Sequence, residues 1–159
     1  MQHVCSLGSD WQSAQYMCMA GLRPAHSPFD QGPVGASSAA ESILRAAAAG
    51  DVDRGSWNEL RSLLRSPAPK LFVAIYRDPE SVSGVDDSAS RLLAALRAVT
   101  SNFRLMVLGL TTDPGADLHH TVERGARGCS ADIVRVTING RGLAPYVADI
   151  IHSMYEYET

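Results

Sequence analysis

Four continuous apolar runs, each bounded by turn-forming residues, limit what this chain can fold into. They are His3-Val4-Cys5-Ser6-Leu7, ending at Gly8, then Leu71 to Tyr76, Leu105 to Leu110, and Ile133 to Ile138. Each is too short for an independent helix, and each is continuous where a half-buried strand would alternate. That pattern belongs to strands covered on both faces. Helical spacing fills the gaps between the runs. The combination predicts a single α/β domain over 1–159, a three-layer α/β/α arrangement around a mostly parallel sheet of about four or five strands.

The intervening segments carry their own start and stop signals. Ser9-Asp10 is an N-cap pair, and Trp11, Ala14, Cys18 and Leu22 recur at helical spacing, so a helix is expected to about Ala20, ended by Gly21. Pro24, Pro28, Gly32, Pro33 and Gly35 read as a loop. Ser38-x-x-Glu41 and Ser56-x-x-Glu59 are capping boxes. The first opens an alanine-rich helix that stops at Gly50, and the second a helix with Trp57, Leu60, Leu63 and Leu64 on one face. Asp86 or Asp87 caps a helix that buries Leu92, Leu93, Leu96 and Val99, and a further helix is expected over about 118–127. After a turn at Asn139-Gly140, a last helix carries Leu143, Val147, Ile150, Ile151 and Met154 on one side.

Composition narrows the function classes. The net charge is −3 with no run of like charges, so neither nucleic acid nor an acidic membrane is an expected partner. Three cysteines, Cys5, Cys18 and Cys129, match no metal spacing and are too few to staple a chain of this size; reduced thiols in a cytoplasmic setting are expected. The N-terminus has no basic segment leading into a long apolar run, so no signal peptide is expected, and no apolar stretch reaches the ~20 residues of a membrane span. Gly8 lacks the rest of a glycine-rich nucleotide fingerprint, and no cofactor or metal is expected.

In a parallel sheet, sites form beyond the carboxyl ends of the strands, near a reversal in strand order. Three loops therefore matter: Gly8 to Trp11, Arg77 to Gly84, and Thr111 to His120. The free N–H groups at a helix start after Gly8-Ser9-Asp10 suit a bound anion or a developing oxyanion, with Ser9 a candidate nucleophile; the same residues also serve as a plain helix cap. Asp117-x-x-His120 is a carboxylate–imidazole pair of the kind that activates a serine in flavodoxin-like hydrolases, provided the strands before Ser9 and His120 are neighbours. His26 is a candidate base beside Asp30, against the plainer reading of a solvated loop histidine. Arg77 can hold a carboxylate or phosphate, or form a surface ion pair with Asp78.

The segment Ser6-Leu7-Gly8-Ser9-Asp10-Trp11-Gln12-Ser13-Ala14, followed by Gly21-Leu22-Arg23 and Ser27-Pro28-Phe29-Asp30, resembles one family. It is similar to the N-terminal signature of a bacterial family of unknown function named for papain-like cysteine peptidases. That signature runs roughly S-L-G-x-x-C-Q-x-A, G-L-R, S-x-P-F-D-W. The resemblance covers the first 30 residues, with weaker likeness at 70–76 and 102–110. It implies a cysteine nucleophile, but the cysteine position holds Trp11, and the tryptophan after Phe29-Asp30 is Gln31. Aligned instead on the Gly-Ser-Cys-Trp of papain-type enzymes, the cysteine position holds Asp10. The expectation is a degenerate, hydrolase-like protein acting on a small acyl, ester or amide substrate without a thiol, for instance a biosynthetic cyclase or acyl-transfer enzyme. The alternative is a non-catalytic binding module, a pseudoenzyme with Trp11 filling the pocket. Expected site residues are Ser9, Asp10, Asp117 and His120 for chemistry, with Gly8, Trp11, His26, Asp30 and Arg77 for binding. The tail Tyr155-Glu156-Tyr157-Glu158 and the alanine-rich helix over 39–49 offer surface for a homodimer.

Overall fold

In the computed structural model, the structure describes residues 3–9, 24–25, 36–48, 55–77, 85–139 and 143–158. The four apolar runs form strands β1 (His3–Ser9), β3 (Lys70–Arg77), β4 (Phe103–Thr112) and β6 (Ser130–Ile138). Two more strands join them, β2 (Pro24–Ala25) and β5 (His119–Glu123). The sheet order is β2-β1-β3-β4-β6-β5, parallel throughout except for β5, which runs antiparallel to β6. The helices are α1 (Ala36–Ala48), α2 (Gly55–Arg65), α3 (Val85–Val99) and α4 (Leu143–Glu158). Helix α1 opens two residues before Ser38, so its expected capping box lies inside the helix.

Side-chain alternation along the central strands builds two cores. Phe72, Ala74 and Tyr76 of β3 join Cys5, Leu7, Leu105 and Val107 beneath α1, α2 and α3. Leu71, Val73 and Ile75 join Val4, Met106, Leu108, Val134 and Val136 beneath α4, which contributes Val147, Ile150, Ile151 and Met154. Every β3 residue from Lys70 to Tyr76 is buried. A strand with both faces covered cannot alternate polar and apolar residues, which is why β3 reads as one apolar run. The three-layer α/β/α fold follows directly.

Two expectations are corrected. The segment 118–127 is not a helix. Its core is the edge strand β5, all five of whose residues are exposed, in unbroken register with β6 from His119↔Thr137 to Glu123↔Ile133. Leu118 and Val122, four apart, mimic a helical face, but the exposed edge of β6 is available for pairing and the β-branched Thr121-Val122 suits it. The segment around Pro24, expected to be loop, contributes the two-residue strand β2. It lies at the sheet edge, where a residue without an N–H is tolerated.

Polar contacts knit the ends of the sheet. Lys70, the one lysine of the chain, is fully buried at the start of β3. Its Nζ donates to the Ser66 carbonyl (2.6 Å) and the Ala68 carbonyl (3.0 Å). Its main-chain N–H donates to the carbonyl of Asn102, which holds a left-handed φ of 54° and donates its side-chain amide to the Pro67 carbonyl. Along the sheet, Asp132 is buried and accepts from Arg104 Nη2 (2.5 Å) and the Gly125 N–H (2.9 Å). Arg104 also donates to the carbonyls of Ala126 and Gly128. The β5–β6 connection is thus held against the sheet. A Cβ on Gly125 would collide with the Ala131 carbonyl, so this close approach requires glycine.

These contacts give two expected outcomes. Replacing Asp132 with alanine removes the carboxylate partner of Arg104 and of the Gly125 N–H and should lower the urea-unfolding free energy by about 3 kcal/mol; a loss below about 1 kcal/mol would show that the carboxylate is dispensable. Burial holds the Lys70 ammonium below the usual lysine range, with Cys129 acting in the opposite direction. Because the folded value is the lower one, the unfolded chain binds more protons between the two values, so stability rises with pH there. The stability difference between wild type and Lys70→Met should move in favour of wild type as pH rises toward about 10.4, the unfolded lysine value. A flat difference between pH 7 and 10 refutes a buried charge.

Candidate functional site

The parallel strands follow the order β2-β1-β3-β4-β6, that is 2-1-3-4-5 once the antiparallel hairpin strand is set aside. This is the flavodoxin-like order of a doubly wound sheet. The chain leaves β1 for β2 on one side, and it leaves β3 for β4 on the other. The connections diverge between β1 and β3, and the carboxyl ends of two such strands are where sheets of this order form their binding crevice. β1 is internal, as its continuous apolar character predicts.

The carboxyl end of β1 has a second distinguishing feature. From Ser6↔Val73 to Ser9↔Ile75, β1 advances three residues while β3 advances two. The extra residue of β1 falls at Leu7-Gly8, a register shift of the kind a β-bulge makes. Bulges at strand ends re-aim the chain and terminate pairing, and they are frequent beside functional sites. The main chain of Ser9 therefore lies beside Ile75, two residues before Arg77 at the end of β3. Gly8, Ser9 and Arg77 are thus brought to one end of neighbouring strands. Asp10, Trp11, His26 and Asp30 lie outside the described residues.

The other expected pair sits elsewhere. His120 is on β5, paired with Val136, and Asp117 precedes that strand. β3, β4 and β6 separate β1 from β5, so β1 and β4 are not neighbours as the serine triad required. Four inter-strand steps of about 4.8 Å place His120 about 19 Å from Ser9. His120 bonds the Tyr146 hydroxyl through Nδ1 at 3.0 Å, with the two rings edge to face at 5.9 Å. The Asp117 carbonyl is engaged by Nδ1 of the neighbouring His119 at 3.0 Å. Ser9, Asp117 and His120 form no triad.

The described thiols are also remote from the crevice. Cys5 is 1% exposed, faces the core beneath α1 to α3, and points Sγ at the Ser6 carbonyl (3.5 Å). Cys129 precedes the first residue of β6, at the amino end of the sheet. Nine residues of strand separate it from the carboxyl end by about 30 Å. Cys18 lies outside the described residues.

Three features escaped the sequence reading. One is the Arg135 bridge, in which Nη1 meets Glu123 Oε1 at 2.8 Å and Nη2 meets both Asp86 carboxylate oxygens at 2.8 and 2.7 Å. Its two partners, Glu123 on β5 and Asp86 on α3, are far apart in sequence, so only the assembled sheet and helix could have revealed it. The second is the burial of Lys70, for which its position at the head of an apolar run was the available signal. The third is a groove of about 380 Å³ between α1 and α3, lined by Ala40, Glu41, Leu44, Arg91, Ala94 and Ala98. Among the described residues, no cluster of three His, Cys, Asp or Glu side chains could hold a metal ion, and no helix is long and apolar enough to cross a membrane.

Set against protein-family models, curated proteins and solved structures, the chain matches none, and the site rests on its own geometry.

Proposed function

We propose that this protein is a degenerate hydrolase-like enzyme that acts on a small acyl, ester or amide metabolite from the crevice between β1 and β3, without a cysteine nucleophile. The observation that carries the reading is the coincidence of the strand-order reversal with the register shift at Leu7-Gly8. Together they bring a serine and an arginine to the end of adjacent parallel strands. The N-terminal resemblance concentrates on the same loop.

In this reading Ser9 Oγ attacks the acyl carbon, and its proton passes to Asp10 or His26. Main-chain N–H groups after Gly8 receive the oxyanion, the Arg77 guanidinium holds a carboxylate on the substrate, and Asp30 braces the loop. The proton returns to the departing alcohol or amine. Water then releases the acid, or a nucleophile within the metabolite takes the acyl group, as in a biosynthetic cyclase or acyl-transfer enzyme. A cytoplasmic setting suits free thiols and such a substrate. The second reading is a pseudoenzyme that binds its ligand unchanged, and it is favoured by the bulky Trp11 at the family's cysteine position.

Turnover of p-nitrophenyl esters and labelling by a fluorophosphonate probe separate these readings. Replacing Cys5, Cys18 and Cys129 together with alanine should leave turnover within about threefold, while Ser9→Ala should lower it more than about a hundredfold. His120→Ala, so far from Ser9, should also leave it within about threefold. Loss of turnover in a folded Cys5→Ser or Cys18→Ser variant would overturn the thiol-free reading. Tight ligand binding with no turnover and no labelling at Ser9 supports the pseudoenzyme.

A further inference from the structure

We propose that two copies of this chain pair through the β5 edge and continue the sheet across a two-fold axis at Thr121. Strand β5 is the last strand of the sheet, and all five of its residues are exposed. Its outer edge carries no partner strand among the described residues. Exposed edges are usually blunted by lysine, proline or a bulge. β5 has none of these: it reads His119-His120-Thr121-Val122-Glu123, in unbroken register with β6. Leu118 and Val122 are two of the large apolar side chains exposed among the described residues, at 39% and 38%, and they alternate onto the same face as His120.

Charge selects a second copy as the occupant and fixes its register. In an antiparallel pair, residues directly opposite share a face, so a two-fold axis must pass through a residue. Three centres, His120, Thr121 and Val122, pair three or more β5 residues with β5 residues of the second copy. An axis at His120 sets Asp117 against Glu123, carboxylate facing carboxylate. An axis at Val122 sets His120 against Arg124, two bases. An axis at Thr121 sets His119 against Glu123 twice, His120 against Val122 twice, and Thr121 against itself. Opposite charges and Thr–Thr pairs are favourable across strands, and like charges are not. Of the three, the Thr121 axis alone sets neither two carboxylates nor two basic side chains opposite each other. Glu123 is already fixed by Arg135 Nη1 at 2.8 Å through one carboxylate oxygen, which leaves the other for the partner copy's imidazole. The same axis also sets Leu118 against the aliphatic stem of Arg124.

Sedimentation equilibrium and cysteine cross-linking test both the dimer and its axis. Wild type is expected at twice 17.0 kDa. Thr121→Lys places two ammonium groups on the axis, and His119→Glu opposes carboxylates twice per dimer. Each should weaken association by about tenfold or more, while His119→Arg retains it. Thr121 is exposed, so the fold of the lysine variant should survive, as an unchanged melting curve would show. With copper phenanthroline as oxidant, Thr121→Cys should form an intermolecular disulfide, because Cβ atoms on the axis come within reach of one. Val122→Cys, opposite His120, and wild type should not. The proposal is overturned by a 17.0 kDa species throughout the concentration series, by an undiminished Thr121→Lys dimer, or by cross-linking through Val122→Cys in place of Thr121→Cys.

Discussion

Burial of β3 on both faces is the constraint from which the remaining architecture follows. With Lys70 to Tyr76 removed from water, the alternate side chains Leu71, Val73 and Ile75 need one cover and Phe72, Ala74 and Tyr76 another. α4 supplies the first, and α1 to α3 supply the second. α1 and α2 precede β3 and α3 links β3 to β4, the crossovers that parallel neighbours require, while β4 reaches its parallel neighbour β6 by way of the antiparallel edge strand β5. Parallel strands point all their carboxyl ends the same way. The meeting of the β1 and β3 carboxyl ends at the reversal in strand order thus arises from the same requirement as the core.

Much of this fold is legible in the sequence, because burial on two faces leaves a simple trace. All four apolar runs become strands within three residues of their expected limits, and Val147, Ile150, Ile151 and Met154 are buried as their spacing indicates. The misread parts share a cause. β5 and β2 lie at the sheet edges, and with all five residues of β5 exposed its sequence pattern is weak. The exposed strand His119 to Glu123 has no inward face to mark its period, and Leu118 with Val122 imitates a helix. Pairing with β6 decides its conformation, and local preference does not.

The site divides along the same line. Gly8, Ser9 and Arg77 gather at one end of adjacent strands because each ends an apolar run, and that much is visible in the residues. The triad with Asp117 and His120 depended on strand order, which no local pattern encodes. Order follows from which helices cross which face. Four short residues at the right spacing carried no information about the 19 Å, roughly, that the sheet inserts between them. The buried ion pair of Arg104 and Asp132 was likewise invisible until β4 and β6 lay side by side.

The burial of Lys70 has one more consequence, in the surface chemistry of the molecule. The chain has no second lysine, so the folded protein offers no side-chain amine to acylating or reductively methylating reagents. The lone side-chain amine is enclosed by the Ser66 and Ala68 carbonyls at the amino end of β3. Modification at that position must wait for the end of the sheet to open. Its rate therefore measures how often this corner breathes, and the protein carries an intrinsic reporter of local unfolding in its central strand.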